Sequence, residues 1–194
     1  MPRPAGKRCC LYDTDALARV IDTMSDHAAA LLGRCERLVI VGVLRRGAPL
    51  ADRLRDALVA RHGLEAPQRL DLSVKRYADD LTLLFPEVRL DKSHTDIDLQ
   101  GASVLVVDDV LYSGHSTLRV VEHLRAQHAA QIRLAVLVDR GATVLPVRAD
   151  IVGVRLEVAP TDIIECNVPP YEPDFRIEVL KPQRGADGPP PAPG

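Results

Sequence analysis

Val104-Leu105-Val106-Val107-Asp108-Asp109-Val110-Leu111-Tyr112-Ser113-Gly114-His115-Ser116-Thr117 is the stretch on which the fold turns. Four consecutive apolar residues read as a strand buried on both faces. Two acids close that strand. A loop with one glycine and three hydroxyl side chains (Ser113, Ser116 and Thr117) follows, and Val120, Val121 and Leu124 then recur at helical spacing. Carboxylates at such a junction can hold hydroxyls or a cation, and the backbone N–H groups at the helix start can hold a phosphate.

Outward from this unit the same alternation repeats. Asp13 or Thr14 is a plausible N-cap. Leu17, Val20, Ile21, Met24, Ala28, Leu31 and Leu32 follow at helical spacing, and Gly33 closes the segment. Leu38 to Val43 is an apolar run of strand length. Leu44-Arg45-Arg46-Gly47 is a loop, and Pro49 suits the first turn of a helix carrying Leu50, Leu54 and Leu58. A weaker strand is expected at Leu70 to Val74. From Lys75 to about Gln100 there is no clean period, so an irregular excursion is expected. Ile132 to Val138 is another apolar run, a further strand is expected near Ile151 to Val158, and Phe175 to Leu180 alternates weakly.

Strands that are apolar on both faces and alternate with helices imply an α/β fold, with a mainly parallel central sheet and helices on both faces. At 194 residues one domain is expected. Its limits are set at 13–181, after an N-terminal arm over 1–12 and before a Pro/Gly-rich disordered tail over 182–194. In such a sheet ligands bind beyond the carboxyl ends of the strands. Leu44 to Gly47, Asp108 to Ser116 and Asp139 to Gly141 all stand there.

Composition narrows the function. A net charge of -2 gives no global sign of nucleic-acid binding, and two Phe, four Tyr and no Trp leave no aromatic platform for stacked single-stranded bases. Cys9, Cys10, Cys35 and Cys166 form no C-x-x-C pair and the six histidines show no ligand spacing, so no metal-ligating residue set is expected. Reduced thiols, no apolar run near the roughly 20 residues of a membrane span and no signal-like N-terminus point to a cytoplasmic protein with no membrane partner.

Read singly, each chemical feature has an ordinary explanation. An Asp-Asp pair can be a solvated strand end, Ser or Thr an N-cap, and Arg45-Arg46-Gly47 a basic turn. Lys75-Arg76-Tyr77-Ala78-Asp79-Asp80 can be a solvated charge run, or a mobile loop that brings cations over a reacting anion. Together they point to a sugar-phosphate site. Two guanidinium groups beside a glycine suit a diphosphate, and short carboxylates suit a vicinal diol or the waters of Mg²⁺.

Val104 to Ser116 resembles the phosphoribosyl-diphosphate motif of the type I phosphoribosyltransferases. Within that superfamily the chain is similar to the PyrR-type proteins, bifunctional pyrimidine-operon attenuators with uracil phosphoribosyltransferase activity. The likeness is carried by Val107 to Gly114, by Leu134 to Gly141 with Leu145 to Asp150, by Tyr77 to Thr82 and by Val41 to Gly47. It implies the superfamily's fold, including a small hood and a flexible loop. It implies that Asp108 and Asp109 hold the ribose hydroxyls and that Ser113, Gly114, His115 and Ser116 hold the 5′-phosphate, with Val110, Leu111 and Tyr112 completing the substrate segment. Arg45 and Arg46 fall on the diphosphate loop, where the family often has a non-proline cis peptide. Arg140 falls on a substrate-contacting arginine near the base. Lys75, Arg76, Tyr77, Asp79 and Asp80 fall on the closing loop. Asp108, Asp109 and Arg46 are the residues on which catalysis is expected to rest.

The implied substrates are phosphoribosyl diphosphate with Mg²⁺ and a nucleobase, uracil first. The implied partners are leader RNA and further copies of the chain. Two alternatives remain open: a nucleotide-sensing attenuator of weak catalysis, and a transferase for a purine or other base. The chain departs from the family at His115, where Arg is usual, at Ala78, where Arg is usual, at Gly153 to Glu157, and at Ala142 and Thr143, where polar and basic residues are usual.

Overall fold

A computed structural model describes residues 5–75, 87–90 and 97–183, with the backbone alone at 75 and 87–90. Arg76, Tyr77, Asp79 and Asp80 of the expected closing loop lie outside the described residues, as do positions 184–194 of the expected tail.

The chain runs β1 (Gly6–Tyr12), α1 (Thr14–Leu32), β2 (Leu38–Leu44), α2 (Gly47–His62), β3 (Gln68–Lys75), β4 (Glu87–Leu90), β5 (Ser103–Leu111), α3 (His115–Ala126), β6 (Gln131–Asp139), β7 (Ile151–Arg155), β8 (Ile163–Asn167) and β9 (Arg176–Pro182). Among the described residues one sheet has the order β4-β3-β2-β5-β6-β7. Its five strands from β3 to β7 are parallel, and β4 closes the β3 edge antiparallel. A second sheet, β1-β9-β8, is antiparallel and forms the hood.

The α/β alternation expected from the sequence is thus present, and its cause is visible in the side chains. Along β2, β5 and β6 successive residues enter opposite cores. Ile40, Leu105, Val107, Ala135 and Leu137 pack with α1 and α2, while Val39, Val41, Val104, Val106 and Val136 pack with Val120 and Leu124 of α3. Strands buried on both faces need apolar residues at every position. Asp13 caps α1 through its carboxylate on the Ala16 N–H (2.9 Å), and Gly33 ends it. Gly63 ends α2 in the left-handed region, φ 63°, where L side chains are strained.

The topology itself makes a crevice. From β2 the chain crosses through α2 to β3 on one side, and from β5 through α3 to β6 on the other. With crossovers of one hand, the two helices must lie on opposite faces. The loops after β2 and β5 then splay apart between those neighbouring strands, at the switch point where open α/β sheets bind ligands.

Several expectations are corrected. The loose arm is, over Gly6–Tyr12, a strand paired with Ile177 to Pro182, so Pro182 closes a hood strand before any tail. β5 runs through both acids to Leu111, because β6 offers partners as far as Asp139. β7 stops at Arg155, and β8 appears where no strand was expected. Within the Lys75 to Gln100 excursion β4 pairs with β3. Among the described residues no helix is long and apolar enough to cross a membrane.

Candidate functional site

Two adjoining cavities open at the carboxyl ends of β2 and β5. The smaller, about 200 Å³, is lined by Leu44, Val74, Asp108 to Gly114, Ser116 and Thr117. The larger, about 760 Å³, is lined by Leu44, Arg45, Arg46, Ser73, Val74, Asp108, Asp109, Tyr171 and Glu172. Both acids therefore border both cavities, although they occupy consecutive positions of one strand. The structure brings together the two loops that the sequence singled out separately.

Asp108 Oδ1 accepts the Asp109 N–H (2.8 Å), and Asp109 Oδ1 accepts the Val110 N–H (2.9 Å). These bonds tie both carboxylates to their own backbone. Burial pushes the Asp109 carboxyl above the usual carboxylate range, and the nearby Arg46 guanidinium partly opposes this. Val110 is half-buried, Leu111 is buried, and Tyr112 is half exposed.

Gly114 has φ 89° and precedes the first residue of α3, His115. An L side chain is disfavoured there by the backbone itself, although a Cβ would meet Val147 Cβ only at ordinary contact distance, 3.4 Å. Ser113 O accepts the Val144 N–H (3.1 Å), so the 141–147 segment backs the loop. The start of α3 borders the smaller cavity, whose wall includes Gly114, Ser116 and Thr117. His115 is exposed, with Nδ1 3.0 Å from Ser113 Oγ.

On the β2 side the Leu44–Arg45 peptide is cis, and α2 starts at Gly47 against β5. Arg46 Nη2 and Nε donate to Glu172 Oε1 (2.6 Å) and Oε2 (3.3 Å), and the carboxylate raises the Arg46 pKa. The Arg45 guanidinium lies 4.7 Å from the Tyr171 ring centre. Sequence reading missed Tyr171 and Glu172. Val168-Pro169-Pro170-Tyr171-Glu172-Pro173 carries a loop signal in its prolines, but nothing local says that the loop faces Arg46.

Arg140 stands apart from both cavities. Its Nη2 donates to the carbonyls of Ala159 (3.0 Å) and Pro160 (3.2 Å), and its guanidinium lies 4.6 Å from the Tyr112 ring centre. It fastens the 159–160 turn over the β5 loop. Of Lys75 the structure gives the backbone, at the end of β3.

Comparison with known proteins places the chain in a family. The phosphoribosyl transferase domain family matches residues 11–174. The chain is 32% identical to the bifunctional protein PyrR of Clostridium perfringens over 90% of this chain and 98% of that protein. It is 34% identical to that of Chloroflexus aurantiacus over 80% and 84%, and 30% identical to that of Deinococcus radiodurans over 91% and 96%. A ternary substrate complex of hypoxanthine phosphoribosyltransferase from Trypanosoma cruzi superimposes with a TM-score of 0.73 at 19% identity, covering 91% of this chain and 96% of that one. That likeness is one of fold. The switch-point crevice, the acids at the end of β5 and these matches lead to one conclusion: the chain belongs to the type I phosphoribosyltransferases and is one of their PyrR-like members.

Proposed function

We propose that the protein transfers the phosphoribosyl group of phosphoribosyl diphosphate to uracil, giving UMP and diphosphate. The observation that carries this is the meeting of the Asp108 to Ser116 loop with Arg45 and Arg46 around two contiguous cavities. The PyrR relatives support the choice of uracil.

In this reading the first-turn N–H groups of α3 and the Ser113 and Ser116 hydroxyls hold the 5′-phosphate. Asp108 and Asp109 accept hydrogen bonds from the ribose hydroxyls. Arg46, with Arg45 beside it, receives the diphosphate as the C1′–O bond breaks, and the base nitrogen bonds to C1′ while giving up its proton to solvent. The transition state resembles an oxocarbenium ion, so positioning and charge stabilisation supply most of the acceleration. Among the described residues no group of three or more His, Cys, Asp or Glu side chains could cage a metal. Magnesium commonly binds through one or two carboxylates plus substrate phosphates, and Asp108 and Asp109 at the cavity wall fit that role. Such an ion neutralises diphosphate charge. The cytoplasm, where such substrates are made, is the proposed location, and a homodimer or larger assembly the proposed state.

The test is product formation from labelled phosphoribosyl diphosphate with each common base in turn. Uracil should be consumed, and Asp109→Ala should abolish turnover. Consumption of a purine instead overturns the acceptor assignment, and an unchanged Asp109→Ala rate overturns the site.

A second reading adds RNA binding, as in a pyrimidine-responsive attenuator. Arg148 and Arg155 favour it: both are exposed and border a cavity of about 260 Å³ beside Asp139. Retention of pyrimidine-leader RNA that tightens with UMP and weakens with salt supports it. No retention at low salt, with or without UMP, removes it.

A further inference from the structure

Arg46 and Glu172 are 126 positions apart and meet edge to edge. A guanidinium has five N–H donors arranged along two usable edges. Glu172 takes the Nε–Nη2 edge with both of its oxygens. Nη1 donates to no acceptor among the described residues, and the Arg46 side chain keeps 40% of its surface where it borders the larger cavity.

Glu172 is itself held. Its side chain is 10% exposed, its Oε2 accepts the Val168 N–H (2.9 Å), and the Tyr171 and Glu172 N–H groups both donate to Val168 O (3.1 and 3.3 Å). The 168–172 turn thus presents a fixed carboxylate to a long, rotamer-rich side chain. The same turn places Tyr171 against Arg45. Arg46 and Asp109 border the same cavity, and Asp109 is a carboxylate there whose charge Arg46 already feels. A guanidinium drawn onto Asp109 would neutralise the carboxylate needed at the ribose and withdraw from the diphosphate.

We propose that Glu172 is a positioning residue: by occupying one edge of Arg46 it holds the guanidinium off Asp109 and turns the second edge to receive the diphosphate. This rests on the reading of Arg46 as a diphosphate ligand.

The test is calorimetric titration of the full chain with magnesium diphosphate alone, which is independent of the acceptor base. Wild type, Glu172→Gln, Arg46→Ala and the double variant form a cycle. Glu172→Gln is expected to bind about tenfold more weakly, or ~1.4 kcal/mol. Arg46→Ala should bind at least as weakly, and the double variant no more weakly than Arg46→Ala. In turnover, Glu172→Gln should raise KM for phosphoribosyl diphosphate about tenfold and change KM for the base less than about twofold. If Glu172→Gln does not fold, Glu172→Asp, which keeps the charge but shortens the reach, should show a smaller loss in the same titration. An unchanged or tighter affinity in the Glu172 variants, or additive losses in the double variant, overturns the inference while leaving Arg46 in place. An unchanged affinity in Arg46→Ala overturns the diphosphate reading itself.

Discussion

Gly47 stands with its α-carbon against the backbone carbonyl of Val107, so close that an added Cβ would collide with that oxygen and lie 3.2 Å from Asp108 Cα. The Leu44 to Gly47 loop and the acidic strand therefore touch backbone to backbone. This contact sets the spacing between Arg46 and the two acids, and it requires a residue without a side chain.

Gly47→Ala should consequently push α2 away from β5. A clash with rigid backbone cannot be relieved by a rotamer change, and overpacking of this kind costs about 1–3 kcal/mol. Denaturant unfolding should show that loss, and the affinity for magnesium diphosphate should fall with it. An alanine variant of wild-type stability and affinity would mean that the loops do not meet here.

Asp109→Asn should remove transfer activity while leaving the protein at least as stable at neutral pH. The folded carboxyl titrates above its unfolded value of about 3.9. As pH rises through that value the unfolded chain ionises first, so the folded state holds more protons and stability falls with pH. The fall ends once the folded carboxyl has ionised, and above that point the full penalty remains. Asparagine carries no such penalty and can still accept the Val110 N–H. Thermal unfolding of both proteins from pH 4 to pH 8 should show the difference growing with pH and then levelling. A variant less stable than wild type at neutral pH would show that the carboxylate is stabilising in place.

His115→Arg should tighten binding of phosphoribosyl diphosphate about fivefold at low salt, since a guanidinium beside Ser113 adds a charge-assisted donor for the 5′-phosphate. The gain should shrink as salt is raised. Equal affinities at low salt would place this side chain away from the phosphate.

Cys166 should resist alkylation. Burial pushes its thiol well above the usual range, whereas Cys9 and Cys10 are exposed and Cys35 is half-buried. Intact mass after iodoacetamide treatment at pH 8 should show rapid double labelling, slower labelling at Cys35, and a fourth adduct only after unfolding. A fourth adduct in the native protein would show that the site opens to this depth.

The legible parts of the fold share one property: their signal is local. The core strands β2, β5 and β6 carry long apolar runs (Leu38 to Val43, Val104 to Val107 and Leu134 to Val138), α1 carries its own cap and stop at Asp13 and Gly33, and the loop at Ser113 to Ser116 is announced by a glycine set among hydroxyls. β1 and β8 were not legible. Each lacks an apolar run buried on both faces, and each becomes a strand by pairing with β9. The end of β5 was not legible for a similar reason, because Asp108 to Leu111 stay extended through partners on β6.

By itself, then, the sequence determined the α/β class and the placing of the Ser113 to Ser116 loop and of Asp108, Asp109, Arg45 and Arg46 at strand ends. Side-chain periodicity and motif spacing report on neighbours within a few residues, and those features depend on no others. Tertiary structure alone decided that the hood is built from both ends of the described chain, that Gly47 rests on Val107, and that Glu172 takes one edge of Arg46. Such contacts join segments far apart in the chain. They exist because strand order and crossover hand bring those segments to one end of the sheet, and no local window carries that information.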